Sequence, residues 1–391
     1  MKHNWEYKKL GEVCETTSGG TPSKIKLEYY TNGNIPWLRS GEIRQGLIFD
    51  TDIYITEEGL KHSSAKIIPI NSVVIAMYGA TVGQCGIIKS KMCTNQAVCS
   101  IFPNSNIIPE FLCLFLTSKK NTFIKSAVGG AQPNISQNIV RNTLIPLPPL
   151  SVQERIVEEL DRLSLILEKK KQQIKELDSL AQSIFYDMFG DPIENEKDWE
   201  VRQLKNIAAL KNGLNYDKVN KGYNVKILSV SDFQNNKVIS STDISYTIVS
   251  KEIDENFYLR DNDLIFVRSN GSKSLIGRCV LINTLGEAIS FSGFCIRCRI
   301  TSDCIIPQYV LSFMQNTKIR EQLTGGGRGC NIQNINQQNL GNQLILLPPL
   351  DMQQSFAKKI EAIEKQKELI NQSIKEVQLL FDAKMDYYFG D

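Results

Sequence analysis

Two loops in the second half of the sequence place hydrogen-bond donors beside glycine. Asn270-Gly271-Ser272-Lys273 and Gly325-Gly326-Gly327-Arg328-Gly329 combine amide, hydroxyl, ammonium and guanidinium groups with residues that permit close backbone approach. Side chains of these types bind base edges and phosphates of nucleic acids. In the first half, Tyr78-Gly79-Ala80-Thr81-Val82-Gly83 and Gly129-Gly130-Ala131-Gln132 occupy the matching places. In each half these loops are therefore the candidates for contact with a nucleic acid.

The candidate contact residues are basic and amide side chains on predicted loops. They are Lys24, Arg39, Arg44, Gln84, Lys89, Lys91, Gln132 and Asn134 in the first half, and Arg268, Asn270, Lys273, Arg278, Arg328 and Asn331 in the second. Arg328, the lone cation in its glycine-rich run, is the preferred contact with a guanine. For each residue the alternative is a solvated surface side chain, and a glycine loop can equally be a simple turn.

The sequence lacks the motifs of an enzyme that acts on nucleic acid. Leucine flanks both Pro-Pro pairs, so no polar residue is placed before them to bind a flipped base. No phosphate-binding loop and no dinucleotide-binding glycine motif is present. The only histidines are His3 and His62, which argues against histidine-based catalysis. We expect no catalytic activity of the chain alone.

Ten cysteines occur without the short, even spacing of a disulfide framework. The single CxxC motif, Cys295 to Cys298, lies in an alternating strand-like run, which places its two thiols on opposite faces. We therefore expect reduced structural cysteines and no metal site.

Length favours a two-domain protein, and the charge is compatible with nucleic acid without demanding it: if the chain binds DNA, it either contacts a short stretch per domain or relies on a partner for backbone contacts. A chain of 391 residues exceeds one compact core, and its net charge of +3 is modest for a protein that neutralises many phosphates alone.

No apolar run is long enough for a membrane span, and the N-terminus lacks an apolar signal core. These features predict a cytoplasmic protein.

A repeat organises the elements that position the loops. Leu147-Pro148-Pro149-Leu150 returns as Leu347-Pro348-Pro349-Leu350, and each copy precedes a coiled-coil pattern of apolar residues. Lysine interrupts the apolar pattern at Lys170, Lys367 and Lys384. Each pattern ends in Phe-Gly-Asp, where Gly190 and Gly390 are predicted to adopt the left-handed conformation that often follows a helix.

Residues 1–146 and 192–346 are predicted to be similar globular domains, and residues 147–191 and 347–391 to be helical spacers. Within the first domain we expect a helix from Trp5 to Val13, several short strands, and a helix from Pro109 to about Ser126. The fold class is α+β, with two mixed α/β domains separated by two long helices. Because each helix lacks a partner in its own half, we expect an antiparallel coiled coil with pseudo-twofold symmetry. The alternative is a seam that binds a helix of another chain.

The chain resembles the specificity subunit of type I restriction-modification systems. Four features carry the resemblance: the repeated Leu-Pro-Pro-Leu, the glutamines at Gln153 and Gln353, the Trp-Glu-x-x-x-Leu opening of each half, and the helices ending in Phe-Gly-Asp. The resemblance covers the whole chain. Members often carry Glu-Gln after the prolines, whereas Val152 and Met352 stand before the glutamines here.

The resemblance implies a non-catalytic subunit that reads double-stranded DNA through two target-recognition domains. Two methyltransferase subunits, each carrying S-adenosylmethionine, would dock on the helices, and a motor-nuclease subunit would join for cleavage. A coiled-coil adaptor with two protein-binding heads is the alternative function. An antiparallel pair of helices, each roughly 55 Å long, would hold the two domains apart on the duplex. The DNA target is therefore expected to consist of two unlike half-sites separated by base pairs that are not read. Inserting one heptad after Lys170 and Ile370 is expected to widen that gap by about three base pairs.

Overall fold

The computed structural model describes residues 5–43, 46–126, 134–233, 237–270, 272–325 and 334–390. They belong to two compact units. Unit 1 comprises Met1–Lys171 and Asn371–Asp391, and unit 2 comprises Gln172–Ile370. Each unit therefore contains one globular domain and a segment of each long helix. In the described residues no helix is both long and apolar enough to cross a membrane.

Among the described residues, the first domain and the helix that follows it contain eleven short strands and six α-helices. In chain order they are β1 Glu6–Lys9, α1 Leu10–Val13, β2 Thr16–Ser18, β3 Ile35–Leu38, β4 Leu47–Ile48, β5 Tyr54–Ile55, α2 Glu57–Lys61, β6 Ile67–Ile68, β7 Val73–Ala76, β8 Cys85–Ile88, β9 Met92–Thr94, β10 Val98–Ile101, α3 Pro109–Ser118, α4 Lys120–Ser126, α5 Gln137–Asn142, β11 Leu144–Leu147 and α6 Leu150–Phe189.

The second domain follows the same plan. Its elements are β12 Glu200–Gln203, β13 Ala208–Asn212, β14 Lys218–Leu228, β15 Val238–Ser240, β16 Tyr246–Val249, β17 Leu264–Val267, β18 Cys279–Asn283, β19 Ile289–Phe291, β20 Cys295–Ile300, α7 Pro307–Gln315, α8 Thr317–Leu323, α9 Gln337–Gly341, β21 Leu344–Leu347 and α10 Leu350–Phe389.

Each domain is built on a five-stranded sheet with the same strand order. The order is β2-β10-β7-β8-β4 in the first domain and β13-β20-β17-β18-β15 in the second. In both sheets only the last pair of strands is parallel. A two-stranded sheet joins β1 to β11, and another joins β12 to β21. The predicted repeat of two mixed α/β domains is confirmed.

The central strand β7 is buried on both faces, which explains its continuous apolar sequence. Val73 and Ile75 pack in the cluster that contains Phe111 of α3. Val74 and Ala76 face the opposite cluster. Side chains alternate across a strand, so four consecutive apolar residues supply two cores. The same alternation in β20 places Cys295 and Cys298 in different clusters, as the sequence predicts.

Two predicted helices are wrong in part. The stretch from Trp5 begins with strand β1, because Glu6–Lys9 pairs with Leu144–Leu147, and only the four residues of α1 are helical. The helix that begins at Pro109 ends at Ser118, and α4 follows after Lys119. The hydroxyls of Thr117 and Ser118 donate to carbonyls within α3 at 2.7 Å, which competes with continuation of the helix.

The coiled-coil prediction is confirmed by contacts inside each unit. In unit 2, the rings of Phe185 and Phe189 lie 5.8 and 5.2 Å from that of Phe356. Further along α10, Lys367 Nζ lies 2.7 Å from Asp178 of α6. A later residue of one helix thus meets an earlier residue of the other, so the segments are antiparallel.

In unit 1, Lys384 Nζ lies 2.7 Å from Glu159 Oε1, and Tyr388 donates a hydrogen bond to the same carboxylate. Two of the three lysines that interrupt the apolar pattern are thus neutralised by a carboxylate of the facing helix.

The prediction for the two glycines that follow the long helices is half correct. Gly190 has a φ of +76°, in the left-handed region. Gly390 does not have a left-handed φ, and its N–H donates to Asp386 O at 2.8 Å, which continues the helical pattern. A Cβ on Gly390 would lie 2.4 Å from the backbone oxygen of Asp386, so close packing and not a left-handed turn favours glycine there.

Candidate nucleic-acid interface

Equivalent loops meet equivalent residues at one end of each five-stranded sheet. In the first domain, Ile135 N donates to the carbonyl of Met77 at 2.9 Å, and Tyr78 forms a bridge with Asn134. In the second domain, Ile335 N donates to Arg268 O at the same distance, and Ser269 forms the bridge with Asn334.

A third segment closes each sheet end. Met77 N donates to Ala97 O at 2.8 Å, and Arg268 N donates to Phe294 O at 2.8 Å. The acceptors precede β10 and β20, the strands that pair with β7 and β17. Each sheet end therefore brings three separate segments of the chain together. We call these two places the first and the second sheet end.

Several candidate residues lie at the sheet ends. Asn134 and Gln84 are at the first, because Asn134 bridges Tyr78 and Gln84 immediately precedes β8. Arg39 is close to the same loop, since Thr81 Oγ1 donates to the carbonyl of Ser40 at 2.9 Å. The guanidinium of Arg39 is engaged by Glu42 at 3.2 Å and Asp52 at 3.6 Å.

Arg268, Asn270 and Arg278 lie at the second sheet end, on the loop that joins β17 to β18. The Oδ1 of Asn270 accepts a hydrogen bond of 2.8 Å from Ser272 N, which shapes this loop. Within the described residues, neither Arg268 nor Arg278 forms an ion pair with a carboxylate. Lys273 begins a short 3-10 helix, Lys273–Leu275, in the same loop.

Arg278 is partly buried near a second arginine, Arg320. Burial, together with the nearby charge of Arg320, lowers the pKa of Arg278 from its ordinary value. The Arg320 guanidinium donates to the carbonyls of Ser274 and Ile276, so it holds the backbone of the loop. An electron-rich acceptor, such as a guanine edge or a phosphate, would relieve the repulsion between the two guanidinium groups.

Other basic residues of the second domain have structural roles. Arg299 donates to both carboxylate oxygens of Asp263, at 2.7 and 2.6 Å. Lys226 forms a 2.6 Å ion pair with Glu287. Arg268 and Arg278, which form no ion pair within the described residues, leave guanidinium groups available for a ligand at the second sheet end.

Lys89 and Lys91 lie at the opposite end of β8 from Gln84. Lys89 is half-buried, and its Nζ contacts Asn71 at 2.9 Å and Glu110 at 3.3 Å. Lys91 is exposed, as is Lys24 on the loop before the 3-10 helix Leu27–Tyr29. The structure therefore places Lys89 and Lys91 away from the first sheet end. Arg44, Gln132, Arg328 and Asn331 lie outside the described residues.

Two aromatic residues at the sheet ends were not among the predicted contacts. The side chain of Tyr78 is 39% exposed, and that of Phe294 is 60% exposed. Such rings can stack on bases or contact the methyl group of thymine. Their sequence signal is an aromatic residue beside glycine at a strand end, as in Tyr78-Gly79 and Gly293-Phe294.

The chemistry of the described residues is that of a binding surface. No group of three or more His, Cys, Asp or Glu side chains in this part of the chain is placed to hold a metal ion. Burial raises the pKa of the Cys295 thiol to about 12, which removes it as a nucleophile at neutral pH.

The family model described as Type I restriction modification DNA specificity domain matches residues 2–177 and 196–379. The chain is 24% identical over 376 residues to the MjaIX specificity subunit of Methanocaldococcus jannaschii, covering 90% of this chain and 85% of the relative. It is 24% identical over 393 residues to the EcoKI specificity subunit of Escherichia coli, covering 93% and 82%. A 33% identical match to the EcoR124I/EcoR124II specificity subunit of Escherichia coli spans 41% of each chain.

Solved structures share the fold. An S subunit of a type I restriction-modification system from M. genitalium aligns with a TM-score of 0.56 at 13% identity, over 99% of this chain and 96% of that one. A chain from a structure of a type I restriction-modification system aligns with a TM-score of 0.64 at 21% identity, over 98% and 97%. Because the family model matches most of both halves, the chain belongs to the family of type I restriction modification DNA specificity domains.

Proposed function

We propose that this chain is a non-catalytic subunit in which each domain reads one half of a split, asymmetric DNA target. The observation that carries the proposal is the pair of equivalent sheet ends. Their backbone hydrogen bonds match, while their side chains differ: Tyr78 and Gln84 at the first, Ser269 and Arg278 at the second. A shared scaffold with different donors is what reading two different sequences requires.

The partners follow from the same proposal. Two methyltransferase subunits dock on the long helices and carry S-adenosylmethionine, and a motor-nuclease subunit joins them for cleavage. The modest net charge of +3 supports such sharing, because partner subunits would supply most phosphate contacts. The complex would act on double-stranded DNA in the cytoplasm.

Methylation assays test this division of labour. The purified chain with S-adenosylmethionine should leave DNA unmethylated, whereas the chain co-produced with its cognate methyltransferase subunit should methylate a two-part motif. Methylome sequencing of cells that carry both subunits would show that motif directly. Efficient methylation by the chain alone, or a contiguous motif, would overturn the proposal.

A DNA-affinity column separates the proposal from the adaptor alternative. A subunit that reads DNA should be retained and should elute in a salt gradient, because its phosphate contacts release counterions. An adaptor with two protein-binding heads should pass through without salt-dependent retention.

A further inference from the structure

Gln84 and Arg278 occupy the same backbone position in the two domains. The carbonyl of Gln84 accepts a 2.9 Å hydrogen bond from Ala76 N, and the carbonyl of Arg278 accepts one of 2.9 Å from Val267 N. Both residues immediately precede the strand that pairs with the central strand, β8 in one domain and β18 in the other.

A glycine in the same conformation precedes each of them. Gly83 has a φ of +76° and Gly277 a φ of +74°. Their N–H groups donate back to Ala76 O and Val267 O, each at 2.9 Å. Residues with a side chain rarely adopt this φ. The glycine turn therefore fixes the backbone position of the residue that follows it, Gln84 in one domain and Arg278 in the other. The two domains thus present different side chains from one backbone geometry.

Both side chains are available to a ligand. Gln84 and Arg278 are partly exposed. Within the part of the chain that the structure describes, neither the Gln84 amide nor the Arg278 guanidinium forms a side-chain hydrogen bond or ion pair. Arg320, by contrast, is occupied by the carbonyl of Ile276 at 3.3 Å.

The two side chains have different base preferences in the major groove. Glutamine pairs with adenine through N6 and N7, and arginine pairs with guanine through O6 and N7. We infer that Gln84 and Arg278 are equivalent base-reading residues, with Gln84 selecting adenine in one half-site and Arg278 selecting guanine at the corresponding position of the other. This inference rests on the proposed function and adds to it a residue and a base for each domain.

Reciprocal substitution tests the inference in the full complex with the cognate methyltransferase subunit. In the parent motif, an adenine in one half-site and a guanine in the other should stand at equal distances from the two methylated adenines. Gln84→Arg should change that adenine to guanine, and Arg278→Gln should change that guanine to adenine. The other bases of the methylated motif should not change. The new base should be preferred over the parent base by about 5- to 150-fold, the range of one bidentate contact.

Gln84→Ala and Arg278→Ala form a second pair of variants that add no bulk. Each should make its own letter degenerate while the other half-site is read as before. Circular dichroism and thermal unfolding of the purified variants verify folding, so loss of methylation by an unfolded variant is recognised. Folded variants that methylate the parent motif without change would overturn the inference.

Gln308→Arg is the matched control. Gln308 is exposed on α7, and its side chain donates at 3.2 Å to Asn262, which precedes β17 at the opposite end of the sheet from Arg268. The same change in chemistry there should leave the motif unaltered. If the parent complex methylates no two-part motif, the proposed function fails. If it does and the reciprocal variants keep the parent letters, only the inference fails.

Discussion

Gln153 Nε2 donates a hydrogen bond of 2.9 Å to the carbonyl oxygen of Pro148, at the start of the first long helix. The same side chain donates to Asn106 O and accepts from Ile108 N, each at 2.9 Å. Gln153 is fully buried, and Gln353 makes the equivalent three bonds in unit 2. One amide thus joins the Pro-Pro turn, the helix and the loop before α3.

Gln153→Ala should destabilise unit 1 by about 2–4 kcal/mol, because the buried carbonyl of Pro148 and two partly buried groups, Ile108 N–H and Asn106 O, lose their partner. Urea unfolding at neutral pH measures the difference. Gln172→Ala is the control, since Gln172 is exposed and only bonds Glu176 along the helix at 3.2 Å. A loss below about 0.5 kcal/mol for Gln153→Ala would contradict the importance of this amide.

Phe294→Ala should weaken DNA binding by about 1–2 kcal/mol, because a contact with the duplex buries part of the ring. The slope of affinity against salt should not change, since no charge is removed. Fluorescence anisotropy of the assembled complex at several salt concentrations measures both. Phe49→Ala is the control, because Phe49 is 64% exposed and adjoins the strand end beside Lys89. Equal losses in the two variants would exclude Phe294 as a specific contact.

Lys367→Met should destabilise unit 2 by about 1–2 kcal/mol, because Asp178 and Glu364 lose a neutralising partner whose side chain is 12% exposed. Burial lowers the pKa of Lys367, but the bond to Asp178 and the charge of Glu364 outweigh it and raise the pKa above about 10.5. A raised pKa stabilises the fold below that pH and ceases to do so as the pH rises through the higher value.

Urea unfolding of wild type and Lys367→Met should therefore differ by a constant amount between pH 6 and 9, and the two should converge at higher pH. Lys358→Met, an exposed change on α10, should alter the free energy of unfolding by less than about 0.5 kcal/mol. A difference that grows as the pH rises would contradict this assignment.

The buried thiols should react slowly in the native protein. Burial raises the pKa of Cys93, Cys99 and Cys113 to about 12, so few thiolates exist at pH 8. Cys304 is partly exposed and should react first. Titration with a thiol reagent, in a Cys330→Ser variant that removes the cysteine outside the described residues, should show one fast thiol. Denaturant should release the remainder, and several fast native thiols would contradict the burial.

Local patterns in the sequence determined the two long helices and the central strands. A repeat of three and four residues buries one stripe of a helix, and four consecutive apolar residues in β7 fill both faces of a sheet. Both patterns depend only on residues that are close together in the sequence. They can therefore be recognised without knowledge of the tertiary structure. Trp5 to Val13 lacked such a signal, because its strand is defined by hydrogen bonds to Leu144–Leu147.

Only the tertiary structure decided which loop residues lie together. Gln84 and Lys89 flank the same four-residue strand, and both appeared as polar loop residues in the sequence. Sheet topology brings Asn134 to the Gln84 end and Glu110 to Lys89, so one side chain remains available and the other is tied to a carboxylate. These pairings join segments tens of residues apart, and no local pattern encodes which end of a strand a distant segment will meet.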